Sequence, residues 1–471
     1  MYVQAASAIR AGILDGSLRP GDRLPSVRKL SDELGVNPAT VVAAYRILTS
    51  EGLLQSRHGS GAFVAETALV APSMLSSSLA AVPGFSREPV GAGSFVDMAA
   101  NAPPRDLYPL EQVKRFLVEA VDMDGGQAFD YQQAAGYLPL REALVQMLSF
   151  LPTASRPGPD DVHVVSGAQQ GLDLAARILL RPGDVAAVES PGYPGARNVF
   201  LAAGARVAPL ELGPEGPDLE ALEKLASSKP LRLVYINPDF QNPTCMQYTE
   251  DCRARLASLA ARYGFYIIED DLFSDLSYSG TRSAPVLAYD KAGVVLYVKS
   301  FSKILMPGLR IACLVSPSLF RERLEASKRS VDLSSNGLMQ RVLERFITSG
   351  SFDSHLVQTR ARYHQARDAF ASGLVSSDLD NLSWERPEGG INAWLELPDH
   401  FIGREVAAAC LQNGCAVLPE ADFRQGGEPA GGEDRHLRVS FGSPPLEDVQ
   451  IGVRLIVETL SSLSSAAAKR L

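Results

Sequence analysis

The chain has 471 residues, 46% of them hydrophobic and 21% charged, a balance that marks a folded globular protein and excludes collagen, coiled-coil and low-complexity classes. Forty-five Lys and Arg against fifty-four Asp and Glu give a net charge of −9, which excludes a protein that coats nucleic acid over its whole surface. The five cysteines (Cys245, Cys252, Cys313, Cys410, Cys415) lack zinc-site or disulfide-framework spacing, and no apolar run suits a membrane span or signal peptide, so a cytoplasmic chain with reduced thiols, no metal and no membrane contact is expected.

A length prior of about 150 residues per domain suggests roughly three units, and the charge among them is uneven. Residues 1–65 hold seven basic side chains against five acidic ones, so a small cationic head precedes an acidic body. Ala6, Ile9 and Ile13 fall at helical spacing and predict a first helix over 3–16. Ser26 suits the N-cap of a second helix, with Val27, Leu30 and Leu34 on one face and Gly35 as its stop. Asn37 caps a third, Pro38 takes its first position, and Val41, Ala44, Tyr45 and Leu48 form its apolar face. Two helices about so short a turn make a helix-turn-helix. Residues 53–64 then read as two short strands around a Gly-rich turn, a wing.

These residues resemble the DNA-binding domain of the GntR family, through Gly16-x-Leu18-x-Pro20-Gly21-x-Arg23-Leu24-Pro25-Ser26-x-Arg28, Leu34-Gly35-Val36, Tyr45, Glu51-Gly52 and Gly59-x-Gly61-x-Phe63-Val64. Asn37 and Thr40 sit at the start of the recognition helix, where side chains reach base edges; Arg28, Arg46 and Arg57 can meet phosphates, with Arg23 in the approach loop. Ser26 and the wing residue Gly59 complete the candidate DNA-binding set. The head is assigned to 1–66. Residues 67–94, rich in Ser, Ala, Pro and Gly, read as a flexible linker able to span on the order of 30 Å as a random coil.

From 95 onward, strand candidates at 162–165, 185–188, 233–236, 265–268, 294–298 and 311–315 alternate with helical runs such as 172–180 and 249–263, which predicts an α/β fold with a mainly parallel sheet and sites at strand C-terminal ends. Motifs lie at those ends. Ser166-Gly167-Ala168-Gln169-Gln170 is a small-residue turn into a helix, able to hold a phosphate on its N–H groups. Glu189-Ser190-Pro191-Gly192-Tyr193-Pro194 can present Tyr193 as a stacking surface. Tyr235-Ile236-Asn237-Pro238-x-x-Gln241-Asn242-Pro243-Thr244 places Asn242 after a buried strand, and Ile267-Ile268-Glu269-Asp270-Asp271 ends another in carboxylates that call for a cationic partner. In Val298-Lys299-Ser300-Phe301-Ser302-Lys303-x-x-x-Pro307-Gly308-Leu309-Arg310, Lys303 stands at a strand mouth beside two hydroxyls and an arginine, which suits a Schiff base next to a phosphate.

This order of motifs resembles the class I and II aminotransferases of pyridoxal phosphate (PLP) fold type I, with a large domain over 95–320 and a small α+β domain over 321–471. The resemblance implies that Lys303 binds PLP covalently and is the catalytic residue, that Asp270 pairs with its ring nitrogen, that Asn242 donates to its phenolate oxygen and that Tyr193 stacks on the ring. Gly167, Ala168, Gln169, Ser300, Ser302 and Arg310 would surround the phosphate. Tyr131, in Phe129-Asp130-Tyr131-Gln132-x-x-x-Gly136-Tyr137, would reach the phosphate of a second subunit, which implies a homodimer. Leu437, Val439 and Phe441 alternate with Arg438 and Ser440, a half-buried strand with Arg438 on its other face; the resemblance implies that Arg438 grips the α-carboxylate of an amino acid.

Two positions depart from the family pattern. Leu272 and Phe273 stand where a tyrosine usually donates to the phenolate oxygen, so transaminase turnover is expected to be weak or partial, and Cys245 replaces the glycine of Asn-Pro-Thr-Gly. The whole chain resembles the MocR-type regulators. That implies a PLP-dependent transcription factor, binding an operator in double-stranded DNA and sensing an amino acid or a B6 vitamer. The alternatives are an active aminotransferase with an accessory DNA-binding head and a DNA-binding protein with a vestigial body.

Overall fold

In the computed structural model the described residues are 6, 9, 18, 21–50, 53–57, 61–65, 95–375, 382–424 and 434–468. The chain forms two compact units, Met1–Leu79 and Ala80–Leu471. Most of the first predicted helix, the whole predicted linker and Gly59 lie outside the described residues; Ala6 and Ile9 are helical.

The first unit follows its local signals closely. Helix α1 (Val27–Leu34) starts where Ser26 accepts the N–H of Lys29 and ends at Gly35 in the left-handed region (φ 63°), the conformation that releases a chain from a helix at least strain. Helix α2 (Pro38–Ser50) starts with the Asn37 side chain accepting the N–H of Ala39 at 2.8 Å. Val41, Ala44, Tyr45 and Leu48 turn inward against Leu24, Leu53, Leu54 and Val64, and Tyr45 donates its hydroxyl to Pro25 O. The wing strands β1 (Leu54–Arg57) and β2 (Gly61–Val64) pair antiparallel. Arg23 bridges to Phe63, so the approach loop lies along the wing.

The second unit carries β3 (Val96–Asp97), β4 (Val162–Val165), β5 (Val185–Ser190), β6 (Arg206–Gly213), β7 (Gly216–Pro217), β8 (Leu231–Ile236), β9 (Tyr266–Asp271), β10 (Val295–Ser300) and β11 (Ala312–Val315). All but β3 form one sheet in the order β4-β11-β10-β9-β8-β5-β6-β7. The pairs β10–β9, β9–β8, β8–β5 and β5–β6 are parallel, and β11 and β7 run against their neighbours. Every residue of β4, β5, β10 and β11 is buried, as expected where helices cover both faces of a parallel sheet. The C-terminal ends of β4, β5, β8, β9 and β10 meet along one edge.

Four more strands, β12 (Ser383–Trp384), β13 (Asn392–Glu396), β15 (Leu418–Pro419) and β16 (His436–Ser440), make a second sheet in the order β12-β13-β16-β15, while β14 (Cys415–Ala416) pairs with β3. Helices Ser351–Val375 and Leu446–Ala468 contribute Phe370, Val453 and Ile456 to its core. Among the described residues no helix is long and apolar enough to cross a membrane. All five cysteines are free.

Candidate functional site

Asp270 anchors the site. It is the last residue but one of β9, 4% exposed, and Tyr235 of β8 donates its hydroxyl to Oδ2 at 2.8 Å. The other carboxylate oxygen has no hydrogen-bond partner among the described residues. Burial lifts the acid from 3.8 to about 6; Tyr235 opposes the rise, Asp271 adds to it, and Lys303 lowers it. A buried carboxylate oxygen without a donor is unstable unless a cation or an N–H faces it. An aromatic ring nitrogen carrying a proton answers that need.

Lys303 follows β10 and is half-buried. Burial lowers its ammonium to about 8, Arg438 adds to the fall, Asp270 opposes it, and Arg310 adds a little more. An amine poised near 8 is a nucleophile at neutral pH in a way that a free lysine is not. Its Nζ donates to Asn101 O.

The turn after β4 is shaped for an anion. Gly167 has φ +88° and begins helix Ala168–Leu179, whose first N–H groups point out of the helix end. A side chain there would put its Cβ 2.6 Å from Arg310 Nη2, so only glycine lets the guanidinium lie against the turn. Arg310 itself donates to Ser166 O at 2.7 Å, and Ser300 closes β10 while Ser302 lies in the loop before Lys303, its N–H donating to Ser300 Oγ at 3.3 Å. Tyr193 donates to Gln169 Oε1 at 3.1 Å, and the charges of Asp270 and Arg310 both bear on its phenol. The expected residues Gly167, Ala168, Gln169, Tyr193, Asp270, Ser300, Ser302, Lys303 and Arg310 therefore lie around one site.

Arg438 joins them from the other sheet. It is 1% exposed, donates to Asn242 Oδ1 at 3.2 Å and to Ala99 O, and leaves Nε without a partner among the described residues. Burial lowers it to about 10, with Cys245, Asp97 and Asp422 opposing. The half-buried strand expected here is corrected: β16 lies between β13 and β15, and Arg438 and Ser440 are as buried as Leu437 and Val439. The second face of β16 meets Ala99, Asn242 and Ile391 rather than water. Tyr131 is 84% exposed and stands apart from the cluster within one chain.

Sequence reasoning missed the frame behind these groups. Asn237 donates to Asp270 O at 2.7 Å and accepts the N–H of Asn242 at 2.9 Å. Glu189, raised to about 7 by burial, takes the Asn237 N–H at 2.7 Å, Gln241 Nε2 at 2.9 Å and the Tyr248 hydroxyl. The signal in the sequence is confined to polar residues at two strand ends, Glu189 near the close of β5 and Asn237 and Gln241 just after β8. Phe273, the position lacking the expected hydroxyl, is fully buried. Cys245 holds a left-handed φ of 65° and directs its thiol to Asn392 O at 3.0 Å.

In the first unit Arg23, Ser26, Arg28, Asn37 and Arg46 are exposed and Thr40 is half-buried. Ser26 and Asn37 each use a side-chain oxygen as a helix cap. Of Arg57 the structure describes only the backbone.

Comparison with known proteins agrees with both units. Residues 94–456 match the family "Aminotransferase class I and II", and residues 1–64 match "Bacterial regulatory proteins, gntR family". The chain is 31% identical to a probable rhizopine catabolism regulatory protein MocR of Rhizobium meliloti, over 83% of this chain and 80% of the relative. It is 30% identical to an uncharacterized HTH-type transcriptional regulator of Bacillus subtilis (strain 168), over 98% and 96% of the two chains. A crystal structure of Pyrococcus horikoshii kynurenine aminotransferase in complex with PMP superposes with a TM-score of 0.73 at 30% identity, covering 79% of this chain and 92% of that one.

Proposed function

The chain belongs to the MocR-type fusions of a GntR-family DNA-binding head with a class I and II aminotransferase body, and from that premise we propose a transcriptional regulator that senses an amino acid or a B6 vitamer at the Lys303 site and changes its hold on an operator accordingly. The fold's cofactor is pyridoxal 5′-phosphate. The observation that carries the reading is Asp270 Oδ1, buried and without a donor among the described residues, in the field of an amine lowered to about 8.

Pyridoxal phosphate supplies an aldehyde that condenses with primary amines and a ring that withdraws electrons from the bonds beside the captured nitrogen. The rest is the work of this chain. Lys303 presents an amine that is partly neutral at physiological pH. Asp270 holds a proton on the ring nitrogen by its free oxygen while Tyr235 fixes its other one. Arg310 and the helix end at Gly167 receive the phosphate, the arginine through a planar fork suited to it. Tyr193 covers the ring, and Asn242 directs its amide to the phenolate oxygen. Arg438, whose buried Nε has no hydrogen-bond partner among the described residues, grips a carboxylate. In the head, Arg28 and Arg46 meet phosphates while Asn37 and Thr40 face base edges. Tyr131, exposed as are Phe129 at 66% and Met123 at 76% in the same stretch of chain, fits the surface of a homodimer that completes the phosphate site.

A second reading, an enzyme that turns over, draws support from the same assembled residues. It is disfavoured by Phe273, which offers no hydroxyl, and by Tyr235, whose phenol is committed to Asp270. The test is uptake of pyridoxal phosphate by the full chain, followed by borohydride reduction and peptide mass. The adduct is expected on Lys303 and absent in Lys303→Ala; a wild-type chain without an adduct refutes the sensing role, and steady turnover of an amino acid with an oxoacid would favour the enzyme.

A further inference from the structure

Three carboxylates end β9, and the sheet sorts them by face. Side chains alternate along a strand, so Asp270 points toward Tyr235 and Lys303 while Asp271, one residue on, points the other way. The reverse side holds a closed ionic group. Lys299 Nζ donates to Asp271 Oδ2 at 2.9 Å and to Ser274 Oγ at 3.3 Å, and lies 2.5 Å from Asp275 Oδ2 in an ion-pair contact without hydrogen-bond angles. Arg282 pairs with the other Asp275 oxygen, and Asp271 also accepts the hydroxyls of Ser274 and Tyr297. Lys299, Asp271 and Asp275 are 3%, 5% and 4% exposed. Strand register fixes the pairing, with Lys299 opposite Asp271 and Val298 opposite Asp270.

A buried ion pair is a poor device for stability, because desolvation offsets most of its attraction. Its position suggests another use. Asp270 serves the site only while it carries its charge, and an unbalanced Asp271 one residue away would drive a proton onto it. The groups bearing on Asp270 are Tyr235, Glu189, Tyr193, Asp271, Lys299 and Lys303; Lys299 is the one cation among them that the ligand chemistry does not engage.

We propose that Lys299 is a positioning residue: by cancelling the charge of Asp271 on the far face of β9, it keeps Asp270 ionised and the proton on the cofactor's ring nitrogen. The proposal rests on the cofactor reading above. Buried Asp271 is held well below the ordinary carboxylate range, burial opposing and Lys299 then Arg282 prevailing, which agrees with a balance struck by the lysine.

The test loads the full chain with pyridoxal phosphate carrying ¹⁵N in the ring and follows the nitrogen shift with pH. In Lys299→Gln, which retains a donor for Asp271 but no charge, the unbalanced Asp271 lies nearer Asp270 than the ring, so the proton between them is expected to shift toward Asp270 and the ¹⁵N signal at pH 7 to move toward the unprotonated-ring value. Lys299→Arg should behave as wild type, and Lys299→Gln with Asp271→Asn should return the titration toward it. Should Lys299→Gln not fold, Asp271→Asn alone is compared with the double variant: with one carboxylate fewer around Lys299, the shared proton moves toward the ring and the ¹⁵N signal toward the protonated-ring value, and the double variant brings it back. Coincident titrations across the folded set overturn the proposal while leaving the cofactor reading intact. A wild-type chain that takes up no pyridoxal phosphate overturns both.

Discussion

Replacing Asp270 by Asn should have opposite effects on the loaded and the cofactor-free chain. Asn is nearly isosteric and can still accept from Tyr235, so the change removes charge with little change of shape. In the loaded chain, the loss leaves a protonated ring nitrogen without its buried counter-ion, an omission of about 3 kcal/mol, or roughly a hundredfold in Kd. In the cofactor-free chain the sign reverses. Burial raises the folded-state value from 3.8 to about 6, so this group's contribution to stability is complete below about 3.8 and is lost as pH rises through about 6. Above that, the buried charge weighs against folding by about 3 kcal/mol, at about 1.4 kcal/mol per decade. Thermal unfolding without cofactor should therefore show Asp270→Asn more stable than wild type at pH 8 by a few degrees, the difference vanishing near pH 4. Absorbance titration with pyridoxal phosphate at pH 8 should show the weakened Kd. Equal Kd values for the two chains, or a stability gain independent of pH, would refute the assignment of Asp270 as the buried charged partner of the ring.

Uptake of pyridoxal phosphate at Lys303 should accelerate as pH rises from 6 to 9, with an inflection near 8 where the ammonium loses its proton; stopped-flow absorbance reads it, and an inflection near the ordinary lysine value of 10.5 would count against the lowered amine. Arg28→Ala should weaken binding to every DNA sequence and reduce the salt slope of log K by about one. Thr40→Ala should instead relax sequence preference with the salt slope unchanged, and equal losses on cognate and random duplexes would remove Thr40 from the base-reading set.

The candidate site residues are legible in the sequence because each lies within a few positions of a strand end or a helix cap, where local rules apply. Gly167 before a helix, Asp270 at the close of β9 and Lys303 after β10 need only the chain order. The same holds in the head, where Ser26, Gly35 and Asn37 mark helix ends by hydrogen bonds to residues two to four positions away. Tyr235, Asn237 and Lys299 are different. Each acts across the sheet on a neighbouring strand, and neither the placement of β8 and β10 on either side of β9 nor the register Lys299↔Asp271 follows from hydrophobic periodicity. Arg438 shows the limit of alternation: period two identifies the face of a strand, while whether that face meets water depends on Ala99 and Asn242, more than a hundred residues distant.

A sensor must transmit, and thermodynamics constrains how. If an amino acid held by Arg438 changes operator affinity by some factor, the operator must change amino-acid affinity by the same factor, since both measure one coupling free energy. Couplings of this kind amount to about 1–3 kcal/mol, or roughly 5- to 150-fold. Arg438→Met keeps much of the side chain's bulk while removing the charge, and Arg438 touches neither Asp270 nor the phosphate turn in its hydrogen bonding. Pyridoxal phosphate should still bind Arg438→Met, though more weakly, because Arg438 orients Asn242 and helps to lower the Lys303 ammonium, while at saturating cofactor the spectral response to amino acids and the response of operator binding to them fall together. Fluorescence anisotropy with labelled operator, with and without ligand, measures one arm, and cofactor absorbance with and without operator measures the other. Loss of the spectral response with the operator response intact would mean that the ligand controlling DNA is recognised elsewhere than at the Arg438 carboxylate grip.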